Sequence, residues 1–253
     1  MTEKVKYSFG DFELPYSEKE SMLLTTNDIV NENDPTYFQE SLFHLRLGKY
    51  ISFSGIEGDF VECGVYNGRS AASITLGLKY KKDNFKVYLY DSWEGFPESN
   101  INKDGEVAKT LTGEINGSLE GVKQKMEKVH PNNIIYKKGW YKDTFKDNIP
   151  EKISILHVDC DFYDSVKDTL ERFYDNVVEN GLIILDDFGA FQGCRLAFYE
   201  FCEEKKIRPL IRNYDHTRIF WNKTSHIESN LDRNTIMDYQ WQAHIKCLNS
   251  FIE

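Results

Sequence analysis

The chain lacks the marks of an exported or membrane-bound protein. It has five cysteines, an odd number with no CxxC pair, which excludes a complete disulfide framework and a zinc knuckle. No apolar run approaches the roughly 20 residues a membrane span needs. The opening MTEKVKYSFGDFELPYSEKE has no apolar core of the kind that directs export, so a cytoplasmic location is expected. Positive charge is scarce too. Against 41 Asp and Glu stand only 31 Lys and Arg, a net charge of -10, which opposes nucleic-acid binding because phosphates require clustered cations. Prolines number six and no repeat or low-complexity block occurs, so no long linker divides the chain.

What is present is enough for one domain. The 253 residues are 40% hydrophobic and 14% aromatic, which suits a single α/β domain with an extension. Residues 1–54 read as that N-terminal extension and 55–253 as the main domain. In TYFQESLFHLRLGKYISFSGI, Phe38, Leu42, Leu45 and Phe53 fall near one helical face, the pattern of an amphipathic helix. Such a stripe outside the core calls for a partner surface, so self-association into a homo-oligomer is expected.

From residue 55 strands and helices alternate. DFVECGV, FKVYLYD, NIIYKKG, KISILHVDCD and GLIILDDF read as strands; RSAASITLGLKY, SLEGVKQKMEKV, SVKDTLERFYDNV and CRLAFYEFCEE read as helices. The stretch IRPLIRNYDHTRIFWNKT resembles two last strands. Alternation of this kind predicts a mostly parallel sheet covered on both faces, with ligands beyond the carboxyl ends of its strands. ESNINKDGEVAKTLTGEINGS is polar with scattered glycines and reads as a flap or as a solvated loop.

The first strand end, VECGVYNGRS, places Glu62, Gly64 and Gly68 at a strand-to-helix turn with Ser70 in the first helical turn. Glycines there allow sharp turning and close approach of a ligand. The dinucleotide fingerprint fails, since Tyr66 and Arg69 stand where GxGxxG counted from Gly64 needs glycine. The next strand ends at Asp91, whose two oxygens suit two ribose hydroxyls. This set fits a nucleoside cofactor without a diphosphate, such as S-adenosylmethionine. Ion pairing of Glu62 and turn capping by Asp91 are the bland alternatives.

Two further strands end in acids. ILHVDCDFYDS closes on Asp159 and Asp161, then Asp164, and GLIILDDFG closes on Asp186 and Asp187. If those strands are neighbours, Asp159, Asp186 and Asp187 converge, and three carboxylates cannot stay ionised together without a counter-charge. A hard divalent cation such as Mg²⁺ provides one, together with a way to acidify and orient an acceptor hydroxyl. Asp159 is the candidate base. Helix capping by Asp161, Asp164 and Asp187 is the competing reading. His157 shares a strand face with Asp159 and reads as a histidine hydrogen-bonded in the core.

Together, VECGVYNGRSA, YLYDSWEGFP, KGWYKDTF, ILHVDCDFYDS, LIILDDFG and GCRLAFYEF resemble the macrocin O-methyltransferase (TylF/MycF-like) family over about residues 55–225. The resemblance implies a Rossmann-like class I methyltransferase fold, a seven-stranded, mostly parallel sheet whose last strand is antiparallel. It implies S-adenosylmethionine held by Glu62, Gly64, Val65, Tyr66, Gly68, Ser70, Asp91, Ser92 and Asp159, with Gly139 and Trp140 beside the adenine. It implies Mg²⁺ or another divalent cation on Asp159, Asp186 and Asp187, and a small-molecule or glycan acceptor methylated on a sugar hydroxyl or, in one branch, a phenol. The family resemblance also implies an acceptor-side lid within about 98–130. Asp161, Tyr163, Phe188 and His216 are candidate acceptor contacts. A nicotinamide oxidoreductase and a non-catalytic nucleoside-binding subunit are the rivals from other classes.

Overall fold

The computed structural model describes residues 17–27, 29–30, 35–147 and 149–224. The parts of the expected domains that fall at 1–16 and 225–253 lie outside the described residues. Among those described, no helix is long and apolar enough to cross a membrane.

Seven strands form one sheet: β1 (Asp59–Cys63), β2 (Val87–Asp91), β3 (Ile134–Lys138), β4 (Ile153–Val158), β5 (Val177–Leu185), β6 (Arg212–Asn213) and β7 (Ile219–Asn222). Their order is β3-β2-β1-β4-β5-β7-β6. β1 to β5 pair in parallel, as the strand-helix alternation predicts, while β7 runs antiparallel to both β5 and β6, as the resemblance implied. The order reverses between β1 and β4, the switch point where open α/β sheets bind ligands.

Nine helices are described: α1 (Glu18–Thr26), α2 (Pro35–Ser54), α3 (Arg69–Leu78), α4 (Ile101–Asp104), α5 (Glu106–Lys109), α6 (Leu119–Val129), α7 (Tyr141–Thr144), α8 (Tyr163–Phe173) and α9 (Gln192–Lys205). Period-two alternation splits the core. Phe60, Ile155 and Ile184 face the helices α2, α3 and α6, whereas Val61, Leu156 and Ile183 face α8 and α9.

The helix read as an isolated stripe is part of this body. Phe38, Leu42 and Leu45 are buried in the main core, so these three are covered within the chain, but Phe53 is 60% exposed while its neighbours Ile51 and Ser52 are buried: the covered side of the helix has moved round by its last turn. Gly48 and Gly77 let α2 and α3 touch along their backbones: a Cβ on Gly77 would sit 2.1 Å from the Leu45 carbonyl oxygen. Gly77→Ala is expected to force the helices apart and cost about 1–3 kcal/mol in urea denaturation, the usual range for overpacking.

α1 is fastened by charge. Ser17 and Glu20 form a reciprocal N-terminal cap, and Glu20 also takes Arg46 Nη2 at 3.1 Å and Lys49 Nζ at 3.2 Å from α2. Burial pushes the Glu20 carboxyl up, but Arg46, the Ser17 N–H and Lys49 outweigh it and hold it at about 2 against an ordinary 4.5. A depressed acid stabilises the fold fully above its unfolded value and loses that contribution as pH falls through the folded one. Acid titration of stability should thus show a loss between about pH 4.5 and 2 that Glu20→Gln removes, with the variant about 1–3 kcal/mol less stable at neutral pH.

Residues 98–118 are ordered around α4 and α5. Asp104 Oδ1 accepts the Tyr163 N–H at 2.7 Å, and Lys103 Nζ meets Glu200 Oε1 at 2.5 Å, so this segment is pinned to α8 and α9.

Candidate active site

The carboxyl ends of β1, β2 and β4 open onto a cleft of about 880 Å³. β1 passes so close to β4 that only glycine fits where it ends: a Cβ on Gly64, at φ +85°, would lie 1.6 Å from the Asp159 carbonyl oxygen. The turn continues through Tyr66 at φ 48° to Gly68, the left-handed N-cap of α3. Asp91 holds this turn in shape. Its Oδ2 accepts the N–H groups of Val65 at 2.7 Å and Tyr66 at 2.8 Å, and its Oδ1 accepts that of Trp93 at 2.6 Å. Ser92 Oγ accepts the Glu94 N–H at 3.0 Å, and the Gly139 N–H donates to the Asp91 carbonyl at 2.9 Å.

Gly64, Tyr66, Asp91, Ser92, Gly139, Trp140, Asp159, Asp161 and Asp186 all line the cleft. Glu62 and Ser70 lie beneath it. Glu62 is fully buried and receives Ser70 Oγ at 2.5 Å and His157 Nδ1 at 2.8 Å. Val65 is buried at the turn, and the Gly68 Cα faces Val122. The candidate acceptor contacts divide. Asp161 faces the cleft with a left-handed backbone, φ 59°. Tyr163 donates its hydroxyl to Glu200 with Lys103 over its ring, Phe188 packs edge-on against Phe198 and Tyr199, and His216 is exposed with its carbonyl against Gly189.

The acids converge as the strand order required. Ligand atoms of Asp159, Asp186 and Asp187 lie within 4.8 Å of one another. Burial, then the charges of Asp186 and Asp187, push the Asp159 carboxyl well up. Burial, then Asp161 and Asp186, do the same to Asp187, whose Oδ2 is buried with no hydrogen-bond partner. Asp186 behaves oppositely. Burial pushes it up, but Arg218, then the hydrogen bond of His157 and the nearby His44, drive it well below the usual carboxylate range.

Alternation at the end of β5 explains why Asp186, and not Asp187, meets these partners. Glu62 pairs in register with His157, and His157 with Ile184, so Glu62, His157 and Asp186 share the sheet face that meets α2. His157 is fully buried with its ring nitrogens on Glu62 and Asp186, at 2.8 and 3.3 Å. Burial opposes its charge, but the two carboxylates raise its pKa well above the ordinary value. The core histidine read from sequence is therefore a bridge between two acids. Residues that the strand-end reading did not find complete the surroundings. Arg218 Nε donates to Asp186 at 3.0 Å, its Nη2 pairs with Glu40, and Glu40 takes Arg69 Nη2 at 2.8 Å at the cleft wall.

This geometry has relatives. The macrocin-O-methyltransferase (TylF) family profile matches residues 44–223. The 8-demethyl-8-(2,3-dimethoxy-alpha-L-rhamnosyl)-tetracenomycin-C 4'-O-methyltransferase of Streptomyces olivaceus is 29% identical over 189 residues, covering 72% of each chain. The mycinamicin III 3''-O-methyltransferase of Micromonospora griseorubida is 26% identical over 185 residues, covering 68% of this chain and 70% of that one. Among solved structures, the O-methyltransferase NovP superposes with a TM-score of 0.62 at 23% identity, over 72% of this chain and 79% of its own. The calicheamicin methyltransferase CalS11 gives 0.59 at 14% identity, over 87% and 100%. Both likenesses show a shared fold. With the profile spanning well over half of its length, the chain belongs to the macrocin O-methyltransferase (TylF) family and is a methyltransferase.

Proposed function

We propose that the protein transfers the methyl group of S-adenosylmethionine to a hydroxyl of a sugar, on a glycan precursor, nucleotide sugar or glycosylated metabolite, with a divalent cation at the acidic strand ends. One observation carries the reading: three carboxylates from β4 and β5 meet beside a glycine turn that a nucleoside can approach. The named relatives that methylate a rhamnosyl 4' position and a mycinamicin 3'' position support a sugar acceptor.

The residues present fit a hard cation. They offer oxygen donors alone, two of the three carboxyls are pushed up by burial and then by the neighbouring acids, and Asp187 Oδ2 is buried without a partner. Asp159, Asp186 and Asp187 would hold Mg²⁺, which when bound supplies Lewis-acid polarisation of the acceptor hydroxyl. S-adenosylmethionine supplies the electrophilic methyl. Glu62, Gly64, Val65, Tyr66, Gly68, Ser70, Asp91 and Ser92 form and brace its turn, with Gly139 and Trp140 on the far wall. Asp159 stands where cofactor turn and acid cluster meet, and accepts the hydroxyl proton at its carboxylate. Asp161 lines the acceptor side, and residues 98–118 cover it.

The test is a transfer assay with labelled S-adenosylmethionine and Mg²⁺ over deoxysugar, nucleotide-sugar, glycoside and catechol acceptors. Label in a sugar is the expected result. Transfer to catechols alone would replace the acceptor class, and binding of NAD in preference to S-adenosylhomocysteine would overturn the reaction.

A further inference from the structure

Three nitrogens from three different elements close on a single oxygen. His157 Nε2 of β4 lies 3.3 Å from Asp186 Oδ1, Arg218 Nε of the β7 approach 3.0 Å, and His44 Nε2 of α2 3.5 Å. All three contacts fall on Oδ1, while Asp186 also lines the cleft. A carboxylate gripped by one oxygen cannot rotate freely, and its other oxygen is left for the cleft. His44 and His157 are almost fully buried, as is the carboxylate between them.

We propose that His44, His157 and Arg218 form a clamp that fixes the rotation of Asp186 and presents its Oδ2 to the cation, making all three positioning residues for the metal centre. The inference rests on the cation reading proposed above. Two histidines and an aspartate of this closeness could by ligand type hold a transition metal themselves. Arg218 argues against that use, since its guanidinium already supplies positive charge to the shared oxygen. Arg218 is in turn fixed by Glu40 and Asp215, so α2 and the strand β7 both bear on the geometry of a ligand carried by β5. His157 differs from its two companions because its Nδ1 reaches Glu62 under the cofactor turn.

The clamp makes distinct demands on cation and cofactor. Hydrogen-bonded partners of metal ligands commonly contribute about 10–100-fold to metal affinity. Mn²⁺ and S-adenosylhomocysteine are each titrated calorimetrically into the full-length wild type and into His44→Gln, His157→Gln, Arg218→Gln and Arg218→Lys, with the bound Mn²⁺ also followed by its paramagnetic resonance spectrum. The expected result is Mn²⁺ binding weakened about tenfold or more and an altered spectrum in His44→Gln and Arg218→Gln, with S-adenosylhomocysteine affinity retained. Arg218→Lys should recover part of the loss, and His157→Gln should weaken both ligands. Any folded His44 or Arg218 variant that binds Mn²⁺ as wild type does would overturn the clamp, so failure of one variant to fold leaves the others decisive. Asp159→Asn separates the levels: if the wild type binds no Mn²⁺, or Asp159→Asn binds it unchanged, the cation reading itself fails. Loss of tight Zn²⁺ binding in both histidine variants, with Mn²⁺ binding intact, would assign the histidines to a separate metal site and also overturn the clamp.

Discussion

Asp159→Asn is expected to lower methyl transfer by at least about 100-fold, the lower bound for losing a positioned base, while the metal-free protein becomes no less stable or gains stability. The two effects have opposite signs because the carboxyl is costly where it sits. Burial together with Asp186 and Asp187 raises its pKa well above the ordinary range, so at neutral pH its ionised form opposes folding. Asparagine keeps the shape and removes the repulsion. A residue kept only for structure would lower stability and activity together; paired assays of turnover and thermal midpoint distinguish the cases. A variant that loses both, or that turns over like wild type, contradicts the role given to Asp159.

The second large effect is structural. Gly64→Ala is expected to cost about 3–5 kcal/mol or to prevent folding, since its Cβ would overlap the Asp159 carbonyl oxygen at 1.6 Å and the residue holds φ +85°. Neither side yields easily, because each residue directly follows a paired strand and is tied through its N–H, Gly64 to the Tyr90 carbonyl and Asp159 to the Cys63 carbonyl, both at 2.9 Å. Gly113→Ala is the control. It has nearly the same φ, +78°, with open space around the new methyl, so it should cost only about 1–2 kcal/mol for its positive φ. Equal losses in the two variants, measured by chemical denaturation, would show that close approach of β1 and β4 is not what selects glycine.

The parallel sheet and its acidic tips were legible because both are local. Apolar runs of strand length end in Asp91, Asp159 and Asp186, and the reversal between β1 and β4 places those ends together. The turn around Gly64 was visible for the same reason. What stood hidden was long-range. Arg218 reaches Asp186 across 32 residues and Glu40 across 178, and no pattern along the chain brings a residue of α2 beside the end of β7. Phe53 fails the helical-face reading at the end of α2, where Ile51 and Ser52 take the buried side instead. Asp91 was read as a ligand for ribose hydroxyls, with turn capping as the alternative; its oxygens take three backbone N–H groups, and which N–H groups those are depends on the folded turn.

Whether the acid cluster works through a divalent cation is measured directly by the rate of methyl transfer to a responsive sugar acceptor after exhaustive chelation, followed by addition of Mg²⁺. A loss of at least about 100-fold on chelation, the scale of a Lewis-acid contribution of several kcal/mol, and recovery when Mg²⁺ returns are the expected result. Turnover that survives chelation unchanged would contradict the cation reading.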